Sequence, residues 1–274
     1  MPRKSGMRNL MNSRSDILPL VLDDVSFEIN GMRLIKDLSC TFEAGPRTAI
    51  IGPNGAGKSL FLRLCHGLLT PSAGTIRWAG PDGANSVTAQ AMVFQRPVML
   101  RRSVAANVDF ALKLRDHGKS DRTVIIDEVL GRCGLRRLKD NPARVLSFGE
   151  QQKLALARAW ALKPQVLFLD EPTASLDPAA THAVEEIVQA IHHEGTRIIM
   201  TTHDLGQARR LADEVIFLHR GRMLEYAPTE TFFTEPKNDL AQAFVKGELL
   251  WWKLGKDNRR AGGHEVDKAP RRRN

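Results

Sequence analysis

Cysteine is scarce in this chain: three among 274 residues (Cys40, Cys65 and Cys133), odd in number and without metal-ligand spacing. That excludes a disulfide framework and a thiolate metal site, and predicts reduced, buried thiols of a cytoplasmic protein. Long apolar runs are missing as well. Stretches such as Val166 to Leu169 fall far short of the ~20 residues a membrane-spanning helix needs, so the chain is not expected to cross a bilayer. No continuous apolar stretch precedes Asp16, and no signal peptide is expected. There is no internal repeat and no sustained heptad pattern.

Charge is present, but not where a nucleic-acid-binding fold would carry it. The formal net charge is +9. Residues 1–16 hold four basic groups against Asp16, and residues 251–274 hold eight against three acidic ones, leaving residues 17–250 close to neutral. The basic excess lies in two tails, read as solvated, disordered segments, with loose attraction to anionic lipid or RNA as the other reading. No specific nucleic-acid partner is expected. Composition is otherwise that of a globular protein, 42% hydrophobic and 26% charged, with length for one large or two small domains.

Periodicity organises the middle. Residues 20–29 and 32–42 read as two strands about Asn30-Gly31, a hairpin signal. Residues 47–51 form an apolar strand, followed by a glycine-rich turn and a helix over Ser59 to Leu69. Thr75 to Trp78 and Ala91 to Phe94 are further strands around a polar loop. Residues 103–137 have helical spacing broken at His117-Gly118-Lys119. From Pro142 the pattern alternates: helix 149–162, strand 165–169, helix 178–193, strand 197–201, helix 205–211 and a last strand 214–218. Continuous apolar strands alternating with helices predict an α/β fold whose mostly parallel sheet is covered on both faces.

Gly52-Pro53-Asn54-Gly55-Ala56-Gly57-Lys58-Ser59 fits a phosphate-binding loop, with an apolar strand before it and a helix after it. Glycines let backbone N–H groups close around phosphates, and the helix N-terminus favours anions. Lys58 is the expected partner of the β- and γ-phosphates, and Ser59 of Mg²⁺. Downstream, Val166 to Leu169 end in Asp170 and Glu171. A carboxylate at a strand end is how phosphate-loop enzymes hold Mg²⁺, which makes Asp170 the metal-side residue and Glu171 the group that polarises water.

Leu146-Ser147-Phe148-Gly149-Glu150-Gln151-Gln152 resembles the signature of ABC-transporter ATPases, whose usual form has two glycines after the serine. Gln95 matches that family's glutamine loop, Ser175-Leu176-Asp177 the loop after the metal strand, and His203 its switch histidine. The resemblance covers roughly residues 20–225. It implies a phosphate-loop core with an antiparallel β subdomain and a helical subdomain at about 96–162, within an ATPase domain at 17–235. Residues 1–16 and 236–274 would then be a basic N-terminal segment and a C-terminal extension.

By the same resemblance the catalytic residues are Glu171, His203 and Lys58. Nucleotide contacts fall on Gly52 to Ser59, Leu60, Gln95, Ser147, Gly149, Glu150 and Asp177, and Mg²⁺ contacts on Ser59, Gln95 and Asp170. The implied assembly is a homodimer sandwiching two ATP molecules, in which Ser147 and Gly149 face the other subunit's site. Its partners would be membrane permease subunits at the cytoplasmic face of the inner membrane and an extracytoplasmic solute-binding protein.

Two departures stand out. Phe148 replaces the first signature glycine, and the site is nevertheless expected to hydrolyse ATP because Ser147 and Gly149 remain. The family's adenine-stacking aromatic falls near Ile29, with Phe27 on the same face by period-2 alternation as a substitute. Pro97, Val98, Met99 and Leu100 are the expected permease-docking run, with core packing as the competing reading. Trp251 and Trp252 are read as partly packed on the fold.

About 50 residues follow the last predicted strand, too few for the β-barrel regulatory domain of maltose-type and molybdate-type import ATPases. Ala44-Gly45-Pro46-Arg47, Leu60, Leu64-Cys65-His66-Gly67-Leu68-Leu69 and residues 201–210 look like tungstate-import ATPases. An importer for molybdate, phosphate or an amino acid is the alternative. A soluble ABC ATPase is disfavoured by the single cassette and the lack of a long coiled coil. A non-hydrolysing module, suggested by Phe148 and Ile29, is opposed by Lys58, Asp170, Glu171 and His203.

Overall fold

A computed structural model describes residues 17–115 and 118–248. Strands β1 (Leu20–Ile29) and β2 (Met32–Phe42) lead into the short β3 (Thr48–Ile51) and helix α1 (Lys58–His66). Then come β4 (Ala73–Trp78), the four-residue α2 (Ser86–Ala89), β5 (Gln90–Val93), and helices α3 (Val104–Lys113), α4 (Lys119–Arg132) and α5 (Phe148–Ala161). The last part holds β6 (Val166–Asp170), α6 (Pro178–His193), β7 (Arg197–Thr201), α7 (Leu205–Leu211), β8 (Glu214–His219), β9 (Arg222–Pro228), α8 (Thr229–Thr234) and α9 (Asp239–Val245).

The expected α/β architecture is present as two sheets. β1 pairs antiparallel with both β2 and β4 in a three-stranded sheet. Asn30 and Gly31 turn the hairpin with φ of 50° and 77°, the left-handed pair that a two-residue hairpin loop requires. The second sheet has the order β5-β6-β7-β3-β8-β9, parallel throughout except for β9. β9 corrects the sequence reading, which ended the sheet at residue 218. The chain turns at Arg220-Gly221 (φ 51° and 78°) and returns along β8. Residues 222–228 are only partly buried, as an edge strand is.

Alternation along the buried strands divides the core. Ala49, Ile51, Leu167, Leu169, Ile198, Met200, Val215 and Phe217 face a cluster that includes residues of α3 to α6. Ile50, Val166, Phe168, Ile199, Ile216 and Leu218 face α1 and the three-stranded sheet. Phe168, fully buried, meets the edges of His66 and Trp78 at ring separations of 5.6 and 6.4 Å. Truncating such a ring to Ala costs about 3–5 kcal/mol. Each strand thus needs apolar residues on both faces, which is why these segments read as unbroken apolar runs.

Three further expectations meet the packing. Phe27 is buried at 9% exposure while Ile29, the last residue of β1 before the Asn30-Gly31 turn, is 46% exposed. Phe27 therefore belongs to the core and does not substitute for an adenine-stacking aromatic. Met99 is also core, at 6% exposure, whereas Val98 stands out at 72%. Cys65 and Cys133 are buried and Cys40 is half-buried, all three free. Burial pushes the Cys40 and Cys133 thiols up to about 12, and Cys65 well above its ordinary value. Among the described residues no helix is long and apolar enough to cross a membrane. The basic tails and Trp251 and Trp252 lie outside the described residues.

Candidate active site

Parallel strand order brings the loops after β3, β5, β6 and β7 to one edge of the sheet. Val93 pairs with Leu169, Asp170 with Thr201, and Ile50 with Thr201. Gln95, Glu171, His203 and the phosphate loop therefore leave the carboxyl ends of neighbouring strands, where α/β sheets place their ligands.

Gly52 starts the phosphate loop with φ 149°, and a Cβ there would stand 2.1 Å from the Leu218 carbonyl oxygen, so only glycine fits. Ala56 N donates to Pro53 O at 3.1 Å, and Gly221 N donates to Ala56 O at 2.9 Å, tying the loop to the β8–β9 turn. Asn54 and Gly55 are exposed on its outer side. Gly57, left-handed at φ 101°, caps α1 without a side-chain hydrogen bond, so the first backbone N–H groups of that helix remain for an anion. Leu60 packs its side chain on the core.

Lys58 is 6% exposed, donates to Gly52 O at 3.0 Å and Pro53 O at 3.4 Å, and lies 3.8 Å from Glu171 Oε1. Burial lowers its pKa against the opposing pull of Glu171 and Asp170. Asp170, 3% exposed, accepts Ser59 Oγ at 2.7 Å and Thr201 Oγ1 at 2.8 Å on the same oxygen. Its other oxygen lies 3.9 Å from Arg63. A buried carboxylate joined to a hydroxyl offers the hard oxygen donors that suit Mg²⁺. Among the described residues there is no cluster of three or more His, Cys, Asp or Glu residues for a metal.

Glu171 turns off the end of β6 in the left-handed region, φ 46°. Its N–H donates to Thr201 Oγ1 at 3.0 Å. Its Oε2 accepts Gln95 Nε2 at 3.2 Å and lies 3.1 Å from His203 Nδ1. Gln95 thus enters the site through Glu171 rather than through the Ser59–Asp170 pair. Lys58, Ser59, Asp170, Glu171, Gln95 and His203 form one cluster.

Ser147, Gly149, Glu150 and Asp177 form a second locus. Ser147 caps α5 by accepting Glu150 N at 3.3 Å, while Glu150 accepts the Ser147 N–H and Oγ–H at 2.8 Å each. Those bonds, the hydroxyl first, hold the Glu150 carboxyl below its ordinary pKa. Asp177 caps α6 through Ala180 N at 2.8 Å. A Cβ on Gly149 would lie 3.1 Å from Ala180 Cβ, so the two helix starts pack together. Phe148 keeps 36% exposure at the first residue of α5.

Sequence reasoning missed Thr201, which joins Asp170 to the Glu171 backbone, and Arg63. A hydroxyl closing an apolar strand just before His203 was the available signal for Thr201. Arg63 carried none beyond its place one helical turn after Ser59.

A strand–glycine loop–helix with a buried lysine, beside a strand-end Asp-Glu pair, defines a phosphate-loop nucleotide-hydrolysing protein. Residues 35–174 match the ABC transporter family. The tungstate uptake system ATP-binding protein TupC of Peptoclostridium acidaminophilum is 38% identical over 209 residues, covering 76% of this chain and 98% of that protein. The phosphate import ATP-binding protein PstB 2 of Natronomonas pharaonis is 35% identical, covering 85% and 88%. Among solved structures, cbiO1 of Clostridium perfringens, part of the ABC transporter complex cbiONQ, superposes with a TM-score of 0.71 at 28% identity, covering 83% of this chain and 94% of that one. The chain belongs to the ABC transporter family, as one of its ATP-binding ATPases.

Proposed function

We propose that this chain is the ATP-hydrolysing subunit of a tungstate importer, acting from the cytoplasmic face of the membrane on a separate permease. The observation that carries the reading is the convergence of Lys58, Ser59, Asp170, Glu171, Gln95 and His203 at one edge of the sheet. Lys58 and the N–H groups at the start of α1 hold the triphosphate. Ser59 and Asp170 would hold Mg²⁺, which would supply charge neutralisation for the phosphates. Glu171 takes a proton from the attacking water, and His203 and Gln95 orient its carboxylate.

The ATPase domain is residues 17–235, with residues 96–162 as its helical part. Two copies close on ATP, and Ser147 and Gly149 of each then complete the other's site. The helix N-terminus behind Ser147 adds electrostatic stabilisation only in that closed state. The permease docks on the cleft of about 390 Å³ lined by Met92, Phe94, Pro97, Val98, Phe110 and Leu114. Val98 and Leu114 expose apolar surface there. A solute-binding protein outside the membrane delivers the anion to the permease.

The similarity to TupC supports tungstate. Phosphate is the second reading, supported by PstB relatives at 35% identity over a longer stretch. Uptake of tungstate, molybdate and phosphate in cells carrying wild-type or Glu171→Gln protein tests both. Selective loss of tungstate uptake upholds the first, loss of phosphate uptake the second, and no change in any anion overturns import of these solutes.

A further inference from the structure

Behind the hydrolytic cluster a fully buried amide reaches the loop that follows Glu171. Gln207 is 0% exposed on the first turn of α7. Its Nε2 donates to Thr173 Oγ1 at 2.7 Å and to Glu185 Oε1 at 3.2 Å. Glu185, buried on α6, is gripped by Arg210, which donates from Nη2 at 2.7 Å and from Nε at 3.2 Å. The backbone N–H of Gln207 donates to Asp204 Oδ1, the residue after His203. One side chain therefore touches the loop from Glu171, helix α6 and the helix that starts beside His203.

That loop is conformationally costly. It holds two non-glycine residues in the left-handed region, Glu171 at φ 46° and Ser175 at φ 65°. Such residues persist only where their surroundings over-determine them. Thr201 holds the Glu171 N–H on one side, and Gln207 holds Thr173 two residues further on. Packing alone does not account for Gln207. Its Oε1 is buried without a hydrogen-bond partner, a cost a leucine of similar size would avoid. What the amide supplies in return is a donor aimed at Thr173 and Glu185.

We propose that Gln207 is a positioning residue for hydrolysis, locking the loop that carries Glu171 to the helix that follows His203 so that the two meet in a single geometry. The inference rests on the reading of Glu171 and His203 as the hydrolytic pair. Displacement of a catalytic group by about 1 Å can cost 10²-fold in rate. Loss of one buried hydrogen bond that sets such a position is expected to cost about 10-fold.

The test uses the full chain with Mg²⁺ and ATP, reading kcat, ATP affinity and Tm for wild type, Thr173→Val, Thr173→Ser, Gln207→Leu and Glu171→Gln. Thr173→Val and Gln207→Leu should each lower kcat about 10-fold with ATP affinity unchanged and only the small Tm loss of one or two buried hydrogen bonds, and Thr173→Ser should restore the rate. Wild-type rates in Thr173→Val and Gln207→Leu beside an inactive Glu171→Gln would overturn the inference and leave the Glu171 reading standing. A fall in kcat accompanied by a larger Tm loss and weaker ATP binding, or a Thr173→Ser protein as slow as Thr173→Val, would reduce Gln207 to a structural role and likewise overturn it. Wild-type hydrolysis by Glu171→Gln would remove the pair on which it rests.

Discussion

His203 Nδ1 lies 3.1 Å from Glu171 Oε2, the same oxygen that accepts Gln95 Nε2 at 3.2 Å. Two side chains from different strand ends thus converge on one carboxylate oxygen, while the other faces Lys58 at 3.8 Å. The shared oxygen is fixed in direction, which is what a group receiving a proton from a positioned water needs.

Glu171→Gln should therefore lower ATP hydrolysis by about 10² to 10⁴. Nucleotide binding should persist, because Lys58 and the phosphate-loop backbone are untouched. Phosphate release measured beside fluorescent-nucleotide binding separates the two effects. Loss of binding along with turnover would move Glu171 from proton transfer to nucleotide retention.

Two glycines of the phosphate loop should respond differently to alanine. A Cβ at Gly52 would stand 2.1 Å from a backbone oxygen, whereas at Gly55, φ 78°, it meets nothing within 4 Å. Gly55→Ala carries only the left-handed backbone cost of about 1–2 kcal/mol. Gly52→Ala adds an overpacking cost of about 1–3 kcal/mol on top of its own backbone strain. Thermal unfolding should show the larger Tm loss in Gly52→Ala, and equal losses would contradict the contact with Leu218.

The phosphate loop, Asp170, Glu171 and the alternation after residue 142 were legible because local rules govern them: glycines at a tight turn and apolar strands buried on both faces. Helices over 178–193 and 205–211 have the bounds their patterns implied. What stayed illegible depends on tertiary placement. Phe27 and Ile29 lie two residues apart on one strand, yet Phe27 is core while Ile29, at the hairpin end, is open to solvent. Met99 and Val98 look alike in an apolar run, yet one is core and the other solvent-facing. Thr201 gains its place only when β6 and β7 pair. The β9 hairpin was obscured because its strand is an edge with mixed burial and ends in Pro228.

Val98 and Met99, neighbours in the chain, should respond in opposite ways to a charge. Val98→Asp and Leu114→Asp, on side chains 72% and 71% exposed, should leave Tm and ATP binding unchanged and abolish co-purification with the permease. Met99→Asp would instead place a carboxylate in the core and unfold the chain, for an unpaired buried charge costs several kcal/mol. Intact co-purification of both surface variants would exclude this cleft as the docking site.

Acid should weaken one anchor of the central strands in a defined direction. Arg47, just before β3, grips Asp213, just before β8, with Nη2 to Oδ1 at 2.8 Å, Nε to Oδ2 at 3.0 Å and its backbone N–H to Oδ2 at 2.7 Å. The Arg47 hydrogen bonds hold the Asp213 carboxyl below its ordinary pKa of 3.8. A carboxyl whose folded pKa is depressed contributes stability above its unfolded pKa of about 4, and loses it as pH falls toward the folded value. Asp213→Asn should therefore unfold at lower urea than wild type at pH 7, with the gap narrowing below about pH 4. The pair is 20% and 42% exposed, so added salt should shrink the neutral-pH gap as well. A gap that stays constant from pH 7 to pH 3 would mean that the side chain acts through packing and shape, not through its charge.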